Sequence, residues 1–170
     1  PESMHCYALM LSNGDGVPID KKEAAKYLKM AADKGIPESM HCYALMLSKG
    51  DGVTIDKKEA AKYYKMAADK GHPESMHNYA LMLYKGDGVP INKKESAKYC
   101  KMAADKGHPG SMHNYALMLS NGEGVTIDKT EAAKYVKMAA DKGIPESMYN
   151  YALMLSKGEG VTIDKKESAK

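Results

Sequence analysis

The 170-residue sequence contains no phenylalanine, no tryptophan and no arginine. Large aromatics and arginine supply most of the energetic anchors of tight, dry protein interfaces, so Tyr, Leu and Met must carry any such contact here. The basic residues are all lysines, spread evenly among the acids, and the formal net charge is only +3. That balance argues against nucleic acid, whose footprint needs clustered cations and preferably arginine. No run of 18 apolar residues exists, which excludes a membrane-spanning helix. Only three cysteines occur, Cys6, Cys42 and Cys100. An odd number at two kinds of position does not read as a disulfide framework, and reduced thiols without a signal segment favour the cytoplasm.

What is present is repetition. Prolines at 1, 37, 73, 109 and 145 mark a 36-residue period with nearly constant text between them. The expected division is one solenoid over 1–170, with units 1–36, 37–72, 73–108 and 109–144 and a partial unit 145–170 that stops inside a helical pattern. A unit of this length cannot bury its apolar face alone, so copies must stack around a continuous core.

Within the first unit, Ser3 to Ser12 carries no full charge at neutral pH. At 100° per residue, Met10, Ser3, Tyr7, Leu11, Met4 and Ala8 fall within an arc of roughly 160°, the expected core of a first helix. The opposite arc holds Ser12, His5, Leu9, Asn13 and Cys6. Gly14 should close this helix in a left-handed conformation, and Val17 to Ile19 should form an extended crossing. Asp20 should cap a second helix, with Glu23 as its capping-box partner. There Ala24, Tyr27, Leu28, Ala31 and Met30 form the expected buried stripe, opposite Lys22, Lys26, Lys29 and Asp33. Gly35 ends that helix and Pro37 opens the next unit. The 14 methionines occupy three kinds of position, typified by Met4, Met10 and Met30, and read as core filling.

Differences between units are informative. In the first helix every altered position (Glu2 to Gly110, His5 to Tyr149, Cys6 to Asn78, Ser12 to Tyr84, Asn13 to Lys49) lies off the core arc. Drift at exposed sites explains this, and so does diversification for partner contact. The second account is favoured by Leu9, Leu45, Leu81, Leu117 and Leu153, each central to an otherwise polar arc.

Each unit resembles the Sel1-like repeat, a helix-turn-helix relative of the tetratricopeptide repeat. In the second unit the matching positions include Gly50, Gly52, Val53, Asp56, Ala60, Tyr63, Tyr64, Ala67, Ala68 and Gly71. The sequence departs from that pattern at Ser39, Tyr43, Ala44, Leu47, Glu59 and Met66. The Tyr43 and Leu47 exchange is a volume-conserving repacking of two core places. The resemblance implies an all-α fold, a right-handed alpha-alpha superhelix (solenoid) of helix-turn-helix repeats. It also implies an adaptor that binds a protein or peptide partner on a concave face lined by first helices. A cysteine-rich bacterial branch is linked to β-lactam hydrolysis, but its paired cysteines are missing here.

Other motifs carry less. His72 and His77, or His108 and His113, lie five apart, off the three- or four-residue spacing that places two ligands on one helix face, so no metal is expected. The loops NGDGVPID and KGDGVTID lack the carboxylate spacing of a calcium loop and the Gly-Lys-Ser/Thr ending of a phosphate loop. No nucleophile, base and orienting group recur together, so neither catalysis nor a cofactor is expected. The expected partner-binding residues are His5, Leu9, His41, Leu45, His77, Leu81, Tyr84, His113, Leu117, Tyr149 and Leu153. Self-association through uncapped ends is the alternative.

Overall fold

The computed structural model describes residues 1–164 and 166–168. The expected start of a further helix toward Lys170 runs into residues 165, 169 and 170, outside those described. Among the described residues there are nine helices and no strand. They are α1 (Glu2–Asn13), α2 (Lys21–Asp33), α3 (Pro37–Lys49), α4 (Lys57–Asp69), α5 (Pro73–Lys85), α6 (Lys93–Asp105), α7 (Pro109–Asn121), α8 (Lys129–Asp141) and α9 (Pro145–Lys157). Two compact units contain them: Pro1–Ile91 with α1 to α5, and the remainder from Asn92 with α6 to α9. Within each unit every helix packs on the next in sequence.

Local chemistry sets the helix bounds. Pro37, Pro73, Pro109 and Pro145 take the first helical turn, where a missing N–H costs nothing. Gly14, at φ 78°, ends α1 and donates its N–H to the Met10 carbonyl. Asp20, Asp56 and Asp128 each accept the backbone N–H three residues on, and Asn92 does the same for α6. The expected reciprocal half of the capping box does not form at α2. The Asp20 N–H goes instead to the Leu11 carbonyl, tying the second helix of the repeat to the first, and Glu23 pairs with Lys26 at 2.9 Å.

Packing follows the expected arc where a repeat has neighbours on both sides. Ser39, Met40, Tyr43, Ala44, Met46 and Leu47 are all buried in α3. In α1, by contrast, Tyr7 and Met10 are each 39% exposed, because no preceding repeat covers them in this structure. Met30 departs from the expectation of burial. It is 46% exposed, and Met66, Met102 and Met138 are half-buried, so this methionine borders the core while Ala31 and Ala32 fill it.

Glycine has a second task in the loop. Gly52 and Gly88 have φ near +70° and sit so close to the preceding repeat that an added Cβ would overlap the Lys21 and Lys57 carbonyls respectively. Ion pairs latch the same loops: Lys21 to Asp51 at 2.8 Å, Lys57 to Asp87 at 2.9 Å and, in the second unit, Lys93 to Glu123 at 3.1 Å.

Candidate functional site

The outward side of the first helices is built from residues three, four and seven apart, which share one helix face. On α3 these are His41, Leu45 and Ser48, and on α5 they are Asn78, Leu81 and Lys85. The two helices frame a cleft of about 250 Å3 in the first unit, lined by Leu45, Leu81, Met82 and Tyr64 together with Ser48, Asn78, Lys85 and Asp87. Leu45 and Leu81 are half-buried, and Leu9 on α1 is 37% exposed. In the second unit Leu117 on α7 and Leu153 on α9 are 39% and 37% exposed. Every leucine of the row therefore keeps part of its side chain in solvent.

The remaining expected site residues divide by role. Tyr149 is 68% exposed on α9, whereas Tyr84 is half-buried on α5 and is not part of the cleft's lining. His5, His41, His77 and His113 are half-buried. They have structural occupations: the Nδ1 atoms of His5, His41 and His113, for example, lie 2.8, 2.9 and 2.7 Å from the Oγ of Ser39, Ser75 and Ser147 in the following repeat.

The geometry around Ser75 fixes proton positions. The Ser75 backbone N–H donates to His72 Nδ1 at 3.3 Å, so that nitrogen is an acceptor. The Ser75 hydroxyl, 3.1 Å away, donates to the same atom, which leaves its oxygen to accept from His41 Nδ1–H. The two imidazoles lie with centroids 4.7 Å apart. Burial, reinforced by His72 and only partly opposed by Glu74, holds His41 down at about 4, so it is neutral near pH 7.

Tyr64 is the cleft residue that sequence reasoning assigned elsewhere. Its position varies as Leu28, Tyr64, Cys100 and Val136 and reads as core, and it is indeed 3% exposed. Burial pushes its phenol up, against hydrogen bonding with Ser48 and Asn78. The available signal was the change from Cys42 to Asn78, which brings a polar group to the tyrosine. Burial likewise pushes the Cys42 thiol up and takes Cys100 to about 12, so neither is a ready thiolate. Among the described residues no three His, Cys, Asp or Glu side chains gather as metal ligands, and no helix is long and apolar enough to cross a membrane.

The Sel1 repeat family model matches residues 1–36, 37–72, 73–108, 109–144 and 145–170. Among solved structures, the chain is similar to a protective antigen of uropathogenic Escherichia coli displaying an SLR fold, with 29% identity and a TM-score of 0.94. That match covers 98% of this chain and 36% of the antigen, so the chain spans about a third of its length. A Sel1 repeat protein from Oxalobacter formigenes matches at 27% identity and a TM-score of 0.91, over 99% of this chain and 72% of that one. Helicobacter pylori cysteine rich protein B, at 16% identity and a TM-score of 0.60 over 74% of this chain and 93% of its own, shares the fold. Among curated proteins none matches. An all-α solenoid fold of helix-turn-helix repeats, matched unit by unit along the sequence, places the chain in the Sel1 repeat family.

Proposed function

We propose that the protein is a non-catalytic adaptor whose first helices line a concave groove for a peptide or helix of a protein partner. The observation that carries this reading is the leucine row. Leucines that a fold needs only for packing are buried, yet Leu9, Leu117 and Leu153 each leave more than a third of their surface in water, and Leu45 and Leu81 open into one cleft. Leucine on a half-polar face offers apolar anchoring, while Ser48 and Asn78 at the cleft's edge offer polar groups to a peptide backbone. Tyr149 adds a rigid exposed aromatic.

The test is selection of peptides from a random library against the protein, followed by binding to a variant in which Leu45, Leu81 and Leu117 are replaced by Ser. Retained helicity with capture weakened by about tenfold or more supports the groove, since apolar anchors of this size carry about 1.5–3 kcal/mol each when fully buried. Selected peptides that bind the variant unchanged refute it.

A further inference from the structure

A different pair of clefts recurs with the sequence period. In the first unit Lys58, Ala61, Lys62 and Lys65 of α4, with Tyr79 and Val89, line a volume of about 340 Å3. In the second unit Lys94, Ala97, Lys98 and Lys101 of α6, with Tyr115 and Val125, line about 530 Å3. Each residue of the second set is the counterpart of one in the first, one period on. Two separate units thus build the same cleft from the same side chains, at volumes typical of ligand clefts, about 300–1,000 Å3.

The chemistry is an apolar slot with a cationic rim. Ala61, Ala97, Tyr79 and Tyr115 are buried, whereas Lys58, Lys62, Lys94 and Lys98 are exposed and follow one helix face at a spacing of four. Lys65 and Lys101 are spoken for by Asp69 and Asp105 at 2.6 and 2.7 Å. Lys62 and Lys98 lie over the rings of Tyr63 and Tyr99, 5.7 and 5.8 Å from the centroids. Asp33, the carboxylate that feels the Lys62 charge, is already held by Lys29 and the Tyr63 hydroxyl. Glu95 faces the second cleft, but its backbone and carboxylate are bonded to the Asn92 cap. Two cations per cleft therefore stand over an apolar floor without a carboxylate in ion-pair contact among the described residues.

We propose that each cleft docks an acidic linear peptide segment. An aliphatic side chain enters the slot, and flanking carboxylates pair with Lys58 and Lys62 or with Lys94 and Lys98. This surface is separate from the leucine row: its lysines come from second helices, and Tyr79 or Tyr115 of the following first helix lines the slot beneath them. The fourth repeat has Thr130 where the second and third have Lys58 and Lys94, so its equivalent cleft has one cation fewer and binds such a segment more weakly.

The experiment follows the fluorescence anisotropy of a labelled Glu-Asp-Leu-Leu-Asp-Glu peptide with the full chain. Saturable binding is expected. Replacing Lys58, Lys62, Lys94 and Lys98 together by Gln, which keeps helix propensity, should weaken it about tenfold or more, as should replacing both leucines of the peptide by Ser. The Leu45→Ser, Leu81→Ser variant should bind as well as the parent. Absence of binding overturns the proposal, as does unchanged affinity in the lysine variant. Equal affinity for the serine peptide shows simple charge attraction, and loss confined to the leucine variant moves the peptide to the first-helix face; either result also overturns it.

Discussion

At the scale of single residues, the histidine row shows how one side chain serves packing first. The bond from His41 Nδ1 to Ser75 joins residues 34 apart in sequence, and Ser75 is fully buried. Such a pair was invisible in the sequence because helical periodicity fixes a residue's face, not the partner that stacking brings to it. Serine fell on the core arc and histidine on the opposite one, and each was assigned alone. Their union predicts a pH dependence. With a folded value near 4 against about 6.5 for free imidazole, the unfolded chain binds the proton that folded His41 refuses. Stability from this residue is thus full above pH 6.5, declines as pH falls toward 4 and is constant below. Part of the ring reaches solvent, so the loss should be about 2 kcal/mol rather than the full value of the shift. Urea midpoints at pH 7 and pH 4.5 measure it. His41→Asn, whose amide can replace the Nδ1–H donor without titrating, should flatten the difference; an unchanged slope assigns the acid sensitivity elsewhere.

At the scale of elements, the nine helices of the described residues were legible almost to the residue because proline opens each first helix, an Asp or Asn cap opens each second helix, and glycine follows the end of every one. What the punctuation did not reveal is why the loop needs its second glycine. Turn geometry alone accounts for the positive φ at Gly16, Gly52 and Gly88, but only the latter two meet the carbonyl of a preceding repeat. Gly88→Ala should therefore cost about 2–4 kcal/mol, combining left-handed strain with backbone overlap. Gly16→Ala should cost about 1–2 kcal/mol, since its Cβ would meet nothing nearer than the Met10 Cε at 3.9 Å. Equal losses in chemical denaturation would show that turn strain is the whole cost. The Met30 type was misjudged for a related reason. Small alanines on that helix face take the close approach, and the methionine is displaced to the border.

At the scale of the whole molecule, the period made the fold class legible, and the family match agrees with it at every unit. The candidate site was legible only in outline. The leucine row could be placed on an outward face, but the Tyr64 wall and the lysine-rimmed clefts depend on which helices meet, and a single unit's text does not say. Near-identity of the units carries its own prediction. Removing residues 37–72 leaves Pro73 following Ile36, so His5 can meet Ser75 as it now meets Ser39, and Lys21 can meet Asp87 as it now meets Asp51. The shortened protein should keep its helicity per residue by circular dichroism with a lower Tm, whereas removal of residues 37–54, half a unit, should abolish cooperative melting.

The direction of those joints has a further consequence. The lysine latches give the donor to the earlier repeat and the acceptor to the later one, as does the bond from His41 to Ser75, while Tyr63 reaches backward to Asp33. Such a connector has a plug and a socket. Two leading faces brought together would set serine against serine and carboxylate against carboxylate, so extension by added copies has only one permitted orientation, and the number of units can change without redesign of any junction.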